Sequence, residues 1–404
     1  MTEIVARAAD LPAELPSPPS LQTLNTATRS VLHTWLQSRE RPGNDGTFLL
    51  RLYVAAVLLT FVPLLLGALA SPLPLATIDA TLHLPFLYDW NVGFMFLVSF
   101  PCVLMLTVMD QRTLTQSIRI VRADGTITIG EADERMLAER WHVIFRKVNL
   151  AGQATGLLVG IAVAYANYRA YTPPEVGFWI AQDGSLLLVG YIFLYCICLF
   201  YALTTFYIFR NIAISFLLRD IVGHAQLHML PLHPDRCGGL RPVGQLGLRN
   251  QYVLSLFGLN IVLLVAVSRH YIDVPDWLNG LIAAAVIAYL VLGPIVFMSP
   301  LLPFRAGMLK TKTRLLSEVA QRMRSELDRL RDQLSSGNIT KEDEELVERL
   351  RKIGAVIDEL PVWPFDASTL RKFVTAYIVP VASGLAIPLA KAAMSWMRLP
   401  LFGG

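Results

Sequence analysis

Ser185 to Phe209 reads SLLLVGYIFLYCICLFYALTTFYIF, 25 residues without a single charge. A helix needs about 20 mostly apolar residues to cross roughly 30 Å of hydrocarbon at 1.5 Å per residue. This stretch meets that demand with aromatic residues to spare. Working outward, six more segments meet or approach it: Phe48–Ala70, Asn91–Met109 with Pro101 inside, Val148–Tyr168, Tyr252–Ser268, Leu281–Leu302 and Phe373–Trp396. The last holds Pro380, Pro388 and Lys391, so a re-entrant course is its alternative. Over all 404 residues the charged fraction is 16% against 54% hydrophobic, and mean hydropathy is +0.49. A soluble globular chain carries about 25% charged residues. The composition excludes a large soluble enzyme, a disordered chain and a disulfide-stapled domain. The fold class expected is all-α: a polytopic membrane helix bundle of about seven transmembrane helices with a cytosolic amphipathic helical hairpin.

The cations set the expected orientation. With the N-terminus in the cytoplasm, 31 of the 35 Lys and Arg residues fall in cytosolic segments, as the positive-inside rule requires. The C-terminus is then periplasmic if the seventh segment spans. Residues 1–20 are Pro-rich with no apolar leader core, and 21–41 repeat apolar residues at near-helical spacing, as an amphipathic helix on the cytoplasmic face would. Residues 48–303 form the six-helix transmembrane domain, 304–366 the hairpin, and 367–404 the Pro-kinked last segment. Cys102, Cys196, Cys198 and Cys237 are expected to be reduced thiols.

In the hairpin, Leu316, Val319, Met323, Leu327, Leu330 and Leu334 advance by threes and fours. Leu346, Leu350, Ile353, Ile357 and Leu360 do so in the second helix. A pair this narrow leaves its apolar stripe in need of cover. It either zips on its own chain or packs between protomers; the scarcity of other soluble residues favours a homo-oligomer joined through residues 305–360.

Gly152, Gly156 and Gly160 make a small-residue row that lets another backbone approach. Close packing is its first reading and pore lining the second. Ala376, Pro380, Gly384 and Pro388 form a similar, kinked row in the seventh segment. Asn260 sits near the centre of the fifth span, suited to a helix-to-helix hydrogen bond. Asp110 and Arg210 lie at cytosolic span ends, where water is expected to reach them. Mid-depth carboxylates of the kind that serve proton-coupled transport are missing.

The loop 224–248 carries the most distinctive chemistry. His224, His228, His233, Asp235 and Cys237 are metal-ligand types, although their spacing fits no standard zinc signature. A metal ion is the one cofactor the residues suggest. The competing reading is a tight turn in which Gly238 and Gly239 take positive φ and Asp235 caps. Arg236, Arg241 and Arg249 could instead bind a lipid headgroup or an anion. His233-Pro234-Asp235-Arg236-Cys237-Gly238-Gly239-Leu240 resembles an HPDR-x-GGL stretch of uncharacterised bacterial multi-pass membrane proteins. The resemblance covers eight residues and implies a bacterial inner-membrane setting but no activity.

Walker A, GxGxxG, HExxH and GxSxG motifs are missing from the sequence. The expected partner is the lipid bilayer rather than nucleic acid. The function expected is a homo-oligomeric ion-channel-like or pore-forming protein whose cytosolic helices set assembly or gating. The alternatives are a membrane-embedded metal-dependent enzyme at the His/Asp/Cys loop, and a sensor or scaffold.

Overall fold

The computed structural model describes residues 45–78, 82–173, 176–229, 233–271, 276–334, 341–366 and single positions between 368 and 377. The expected N-terminal amphipathic helix and most of the seventh segment, with Ala376, Pro380, Gly384 and Pro388, lie outside them.

The chain is overwhelmingly helical. Helix α1 (Asp45–Leu59) runs into α2 (Phe61–Leu69) across a break at the buried Thr60. Helix α3 (Trp90–Phe94), a π turn (Met95–Ser99) and α4 (Phe100–Ala123) form one rod. Then come α5 (Glu131–Tyr171), α6 (Leu188–His224), α7 (Arg241–Tyr271), α8 (Asp276–Met298), α9 (Leu302–Leu334) and α10 (Lys341–Asp358). A 3-10 turn (Phe86–Tyr88) and four two-residue strands complete the list among the described residues. β1 (Ile127–Thr128) pairs antiparallel with β4 (Gln226–Leu227), and β2 (Ala181–Gln182) with β3 (Ser185–Leu186). The β2–β3 turn is Asp183-Gly184, both at positive φ, as a two-residue hairpin prefers.

Among the described residues five helices are long and apolar enough to span a bilayer. They are Gly46–Leu69, Trp90–Asp110, Arg241–Val267, and stretches of α5 and α6; a sixth is reached if α8 and α9, bent by 46°, are taken as one broken span. The exposed apolar residues fit that setting. Leu66, Leu150, Leu157, Leu158, Ile161 and Tyr191 point away from the protein along α2, α5 and α6, where lipid rather than water removes the cost.

The connectors before the third span and after the fourth, expected as loops, are largely helix. α4 continues to Ala123, α5 begins at Glu131 and α6 runs to His224. An apolar-run criterion sees only the membrane portion of a helix whose remainder is amphipathic. The pair α9–α10 is therefore not the sole amphipathic element outside the apolar runs. Leu114, Leu137, Trp141, Leu217, Leu240 and Phe304 belong to a second apolar core at this Arg-rich end. The other core surrounds Phe96, Phe193, Phe200 and Trp179 and reaches the opposite, cap end.

At the cap end Asp89 accepts from the Val92 N–H and from Trp179 Nε1. It closes α3 while pinning residues 176–180 to it. Burial pushes its carboxyl up to about 6 against the lowering effect of those hydrogen bonds.

Candidate functional site

The residues singled out from the sequence separate into distinct places. In the glycine row, α5 lies against α6 so closely that a Cβ on Gly156 would stand 2.5 Å from the Ala202 carbonyl oxygen. Gly152 faces Phe209, and Gly160 faces the Cys198 backbone. These three glycines are packing positions between two antiparallel helices.

The five ligand-type residues of the 224–248 loop do not converge. His224 Nδ1 meets the Asp220 carbonyl of its own helix, and His228 Nε2 meets Thr128 Oγ1 beside β1. Only His233 and Asp235 touch, at 2.6 Å. Among the described residues no group of three or more His, Cys, Asp or Glu side chains could hold a metal ion. What Asp235 does is structural: its carboxylate accepts from the N–H groups of Cys237, Gly239 and Arg241. Burial opposes its charge, but those hydrogen bonds and the His233 ring outweigh it and hold the carboxyl below its ordinary value. Gly238 and Gly239 take φ of +65° and +91°, which lets the chain double back into α7. Gly239 lies tight against Thr126, so a Cβ there has no room. Burial, with Asp235 and Asp366 adding to it, pushes the Cys237 thiol up to about 12. A fully buried, protonated thiol is a packing residue.

The chemistry lies instead where α4, α5, α6 and α7 meet. Asp110 and Arg210 are buried, 5% and 1% exposed. This corrects the expectation that water reaches them: the amphipathic extensions of α4, α5 and α6 carry protein past the span ends and seal them. Arg210 Nη2 stands 3.4 Å from Asp110 Oδ2, and its Nη1 donates to Asn149 Oδ1 at 3.2 Å. Phe145 and Phe206 lie under the guanidinium at about 6 Å. One turn back on α6, the Tyr207 hydroxyl donates to Asn250 Oδ1 at 3.0 Å. Arg249 reaches α4, donating to the carbonyls of Met109 and Leu106 and to Thr113 Oγ1. Met109 adjoins Asp110 on α4 and Arg249 adjoins Asn250 on α7, so the Arg249 contacts lie beside both the Asp110–Arg210 pair and the Tyr207–Asn250 bond, in one layer. The layer thus holds two guanidiniums and one carboxylate: Arg210 pairs with Asp110, and Arg249 is held by backbone carbonyls and Thr113.

A second buried polar group lies nearer the cap end. Asn260 Nδ2 donates to Ser99 Oγ at 2.7 Å, joining α7 to the π turn. Asn91, at the start of α3, is buried on the same rod. The Oδ1 atoms of Asn91 and Asn260 have no hydrogen-bond partner among the described residues.

Sequence reasoning found Asn260 but passed over the Asp110–Arg210 layer. The available signal was that Asn149, Tyr207, Asn211, Asn250 and Gln251 all fall at the same ends of their spans. Polar residues recurring at one depth on several helices indicate a shared interior layer. Arg236 and Arg241 lie apart from it, in the turn and at the start of α7, and Arg249 is the only one of the three basic candidates inside. No protein-family model matches the chain, and no curated protein or solved structure is significantly similar to it, so any functional reading rests on these residues.

Proposed function

We propose that the chain is an ion-channel-like integral protein of the cell inner membrane, oriented with its N-terminus and Arg-rich end in the cytoplasm. The observation that carries this reading is the charged layer of Asp110 and Arg210, both buried, with the half-buried Arg249 beside them, among helices that otherwise face lipid. Ionisable side chains are expensive inside membrane bundles and mark ion pathways there. The layer sits where each helix passes from apolar to amphipathic sequence, at the cytoplasmic boundary.

Homo-oligomeric assembly through the cytosolic hairpin is part of the proposal. α9 and α10 lie against each other through Arg329–Asp343, Lys312–Asp358 and the approach of Val319 to Gly354. The membrane-near half of their stripe (Leu316, Val319, Ile357, Leu360) packs on the chain's own core. Leu327, Ile353 and Val356 stay exposed on the pair, and a second copy is the occupant the reading assigns to them.

Purified protein reconstituted in liposomes tests the function. Wild type is expected to pass small ions, and Asp110→Asn to alter the rate at least about tenfold, since removing one partner of a buried pair strands the other charge. The exchange Asp110→Arg with Arg210→Asp keeps the pair and controls for folding. Liposomes tight to chloride and potassium with folded wild type and with both variants would overturn the reading.

A further inference from the structure

The polar layer at the Arg-rich end and the polar group near the cap end lie along one seam. α4 packs against both α6 and α7, while the backbones of α6 and α7 stay apart and side chains bridge the gap between them. On α7, Asn250, Val253, Phe257 and Asn260 succeed one another at helical spacing and face this seam. Asn250 belongs to the charged layer and Asn260 to the upper group, about 15 Å apart along the helix. On the rod of the π turn and α4, Ser99 and Asp110 mark the same two levels, with the fully buried Val103 between them.

What separates the levels is dry and aromatic. Phe200 of α6 stacks on Phe257 of α7 with ring centroids 5.4 Å apart and planes at 22°. Val103 and Val253 complete the plug. Above it, the Oδ1 atoms of Asn91 and Asn260, without a partner among the described residues, would be costly to leave dry. Buried polar atoms of this kind are ordinarily met by water. Polar above, charged below and apolar between is the arrangement of a hydrophobic gate, which conducts only when the constriction wets.

We propose that each protomer carries its own permeation path for small monovalent anions along the α4/α6/α7 seam, with the stacked rings of Phe200 and Phe257 as its gate. The path runs inside one chain and not on an axis between copies. The class of ion follows from the charged layer, where two guanidiniums outnumber one carboxylate, so an arriving anion finds a net positive field. Asn260 and Asn91 line the approach from the cap end. The inference rests on the ion-channel-like reading above and adds the route, the gate and the sign of the ion.

The experiment is chloride and potassium flux through liposomes holding the full chain as wild type, Phe257→Ala and Phe200→Ala. It is paired with labelling of Asn260→Cys by a membrane-impermeant thiol reagent added from the Arg-rich side, in the wild-type and the Phe257→Ala backgrounds, against the same proteins without the added cysteine. The expected result is a rise of about tenfold or more in chloride flux for both ring variants, since removing a ring widens and wets the constriction. Asn260→Cys should be labelled only where the gate is opened. Unchanged flux in both variants beside a conducting wild type, with labelling unaffected, overturns the gate and leaves the channel reading standing. Increased flux carried by potassium overturns the anion assignment. Tight liposomes throughout, with Asn260→Cys unreactive in either background, overturn both readings. If one ring variant elutes aggregated, the other and the labelling result decide.

Discussion

Pro101 removes the N–H that would have reached the Leu97 carbonyl, and the Tyr53 hydroxyl of α1 donates to that oxygen at 2.8 Å. Pro294 in α8 frees the Leu290 carbonyl in the same way, and the Tyr377 hydroxyl donates to it at 2.6 Å. A carbonyl released by proline inside a membrane has no water to turn to, so a neighbouring helix must satisfy it. At both sites a tyrosine does this from another segment, tying a bend to a contact. Tyr53→Phe and Tyr377→Phe should each lower stability by about 1 kcal/mol. The sites share no partner, so the double variant should lose nearly the sum. Apparent unfolding midpoints in detergent check this; midpoints equal to wild type in both single variants would sink the account. The prolines were visible in the sequence. Which tyrosine answers each one was not, since 44 and 87 residues separate the partners.

Between elements, the closest approach examined by the glycine row is that of α5 to α6. Small residues let two backbones come near enough for dispersion contacts to substitute for a hydrophobic drive that lipid does not supply. Gly156→Ala sets a methyl 2.5 Å from the Ala202 carbonyl, so the helices must part, at a cost of about 1–3 kcal/mol. Gly223→Ala, near the end of α6, meets nothing within 4 Å and should gain up to about 1 kcal/mol from helix propensity. Opposite signs from one chemical change distinguish packing from propensity in a single thermal-stability comparison; equal shifts would contradict the close approach. The spacing of Gly152, Gly156 and Gly160 was enough to suggest a packing face. The identity of the neighbouring helix came from the fold, as did the extension of α4, α5 and α6 beyond the apolar runs.

For the molecule as a whole, Asp89 makes stability depend on pH. Its carboxyl titrates near 6 when folded, against an ordinary value of 3.8. As pH rises from about 4 to 6 the unfolded chain sheds its proton first. The folded state therefore loses ground through that interval and carries the full penalty above it. Acidification from pH 7 to pH 5 should raise the unfolding midpoint, and Asp89→Asn, which keeps an oxygen for one of the two donors Val92 N–H and Trp179 Nε1 and does not titrate, should flatten the difference. Asp235, shifted the other way, adds stability above its ordinary value that is lost only at still lower pH, outside this window. A wild-type midpoint that falls between pH 7 and pH 5 would refute the assignment to Asp89.

Hydropathy by itself was sufficient to indicate a helical chain with several helices apolar enough to span a membrane, because a bilayer demands long apolar runs wherever the backbone crosses it. Those signals are local, and single residues report them. The burial of Asp110 against Arg210, the separation of the five metal-type side chains and the ring stack of Phe200 on Phe257 are relations between residues far apart in the chain. Only the packing of α4 against α6 and α7 brings them together. A charged side chain at the end of an apolar run looks the same in sequence whether water or another helix lies beside it; the neighbour decides, and tertiary structure supplies the neighbour.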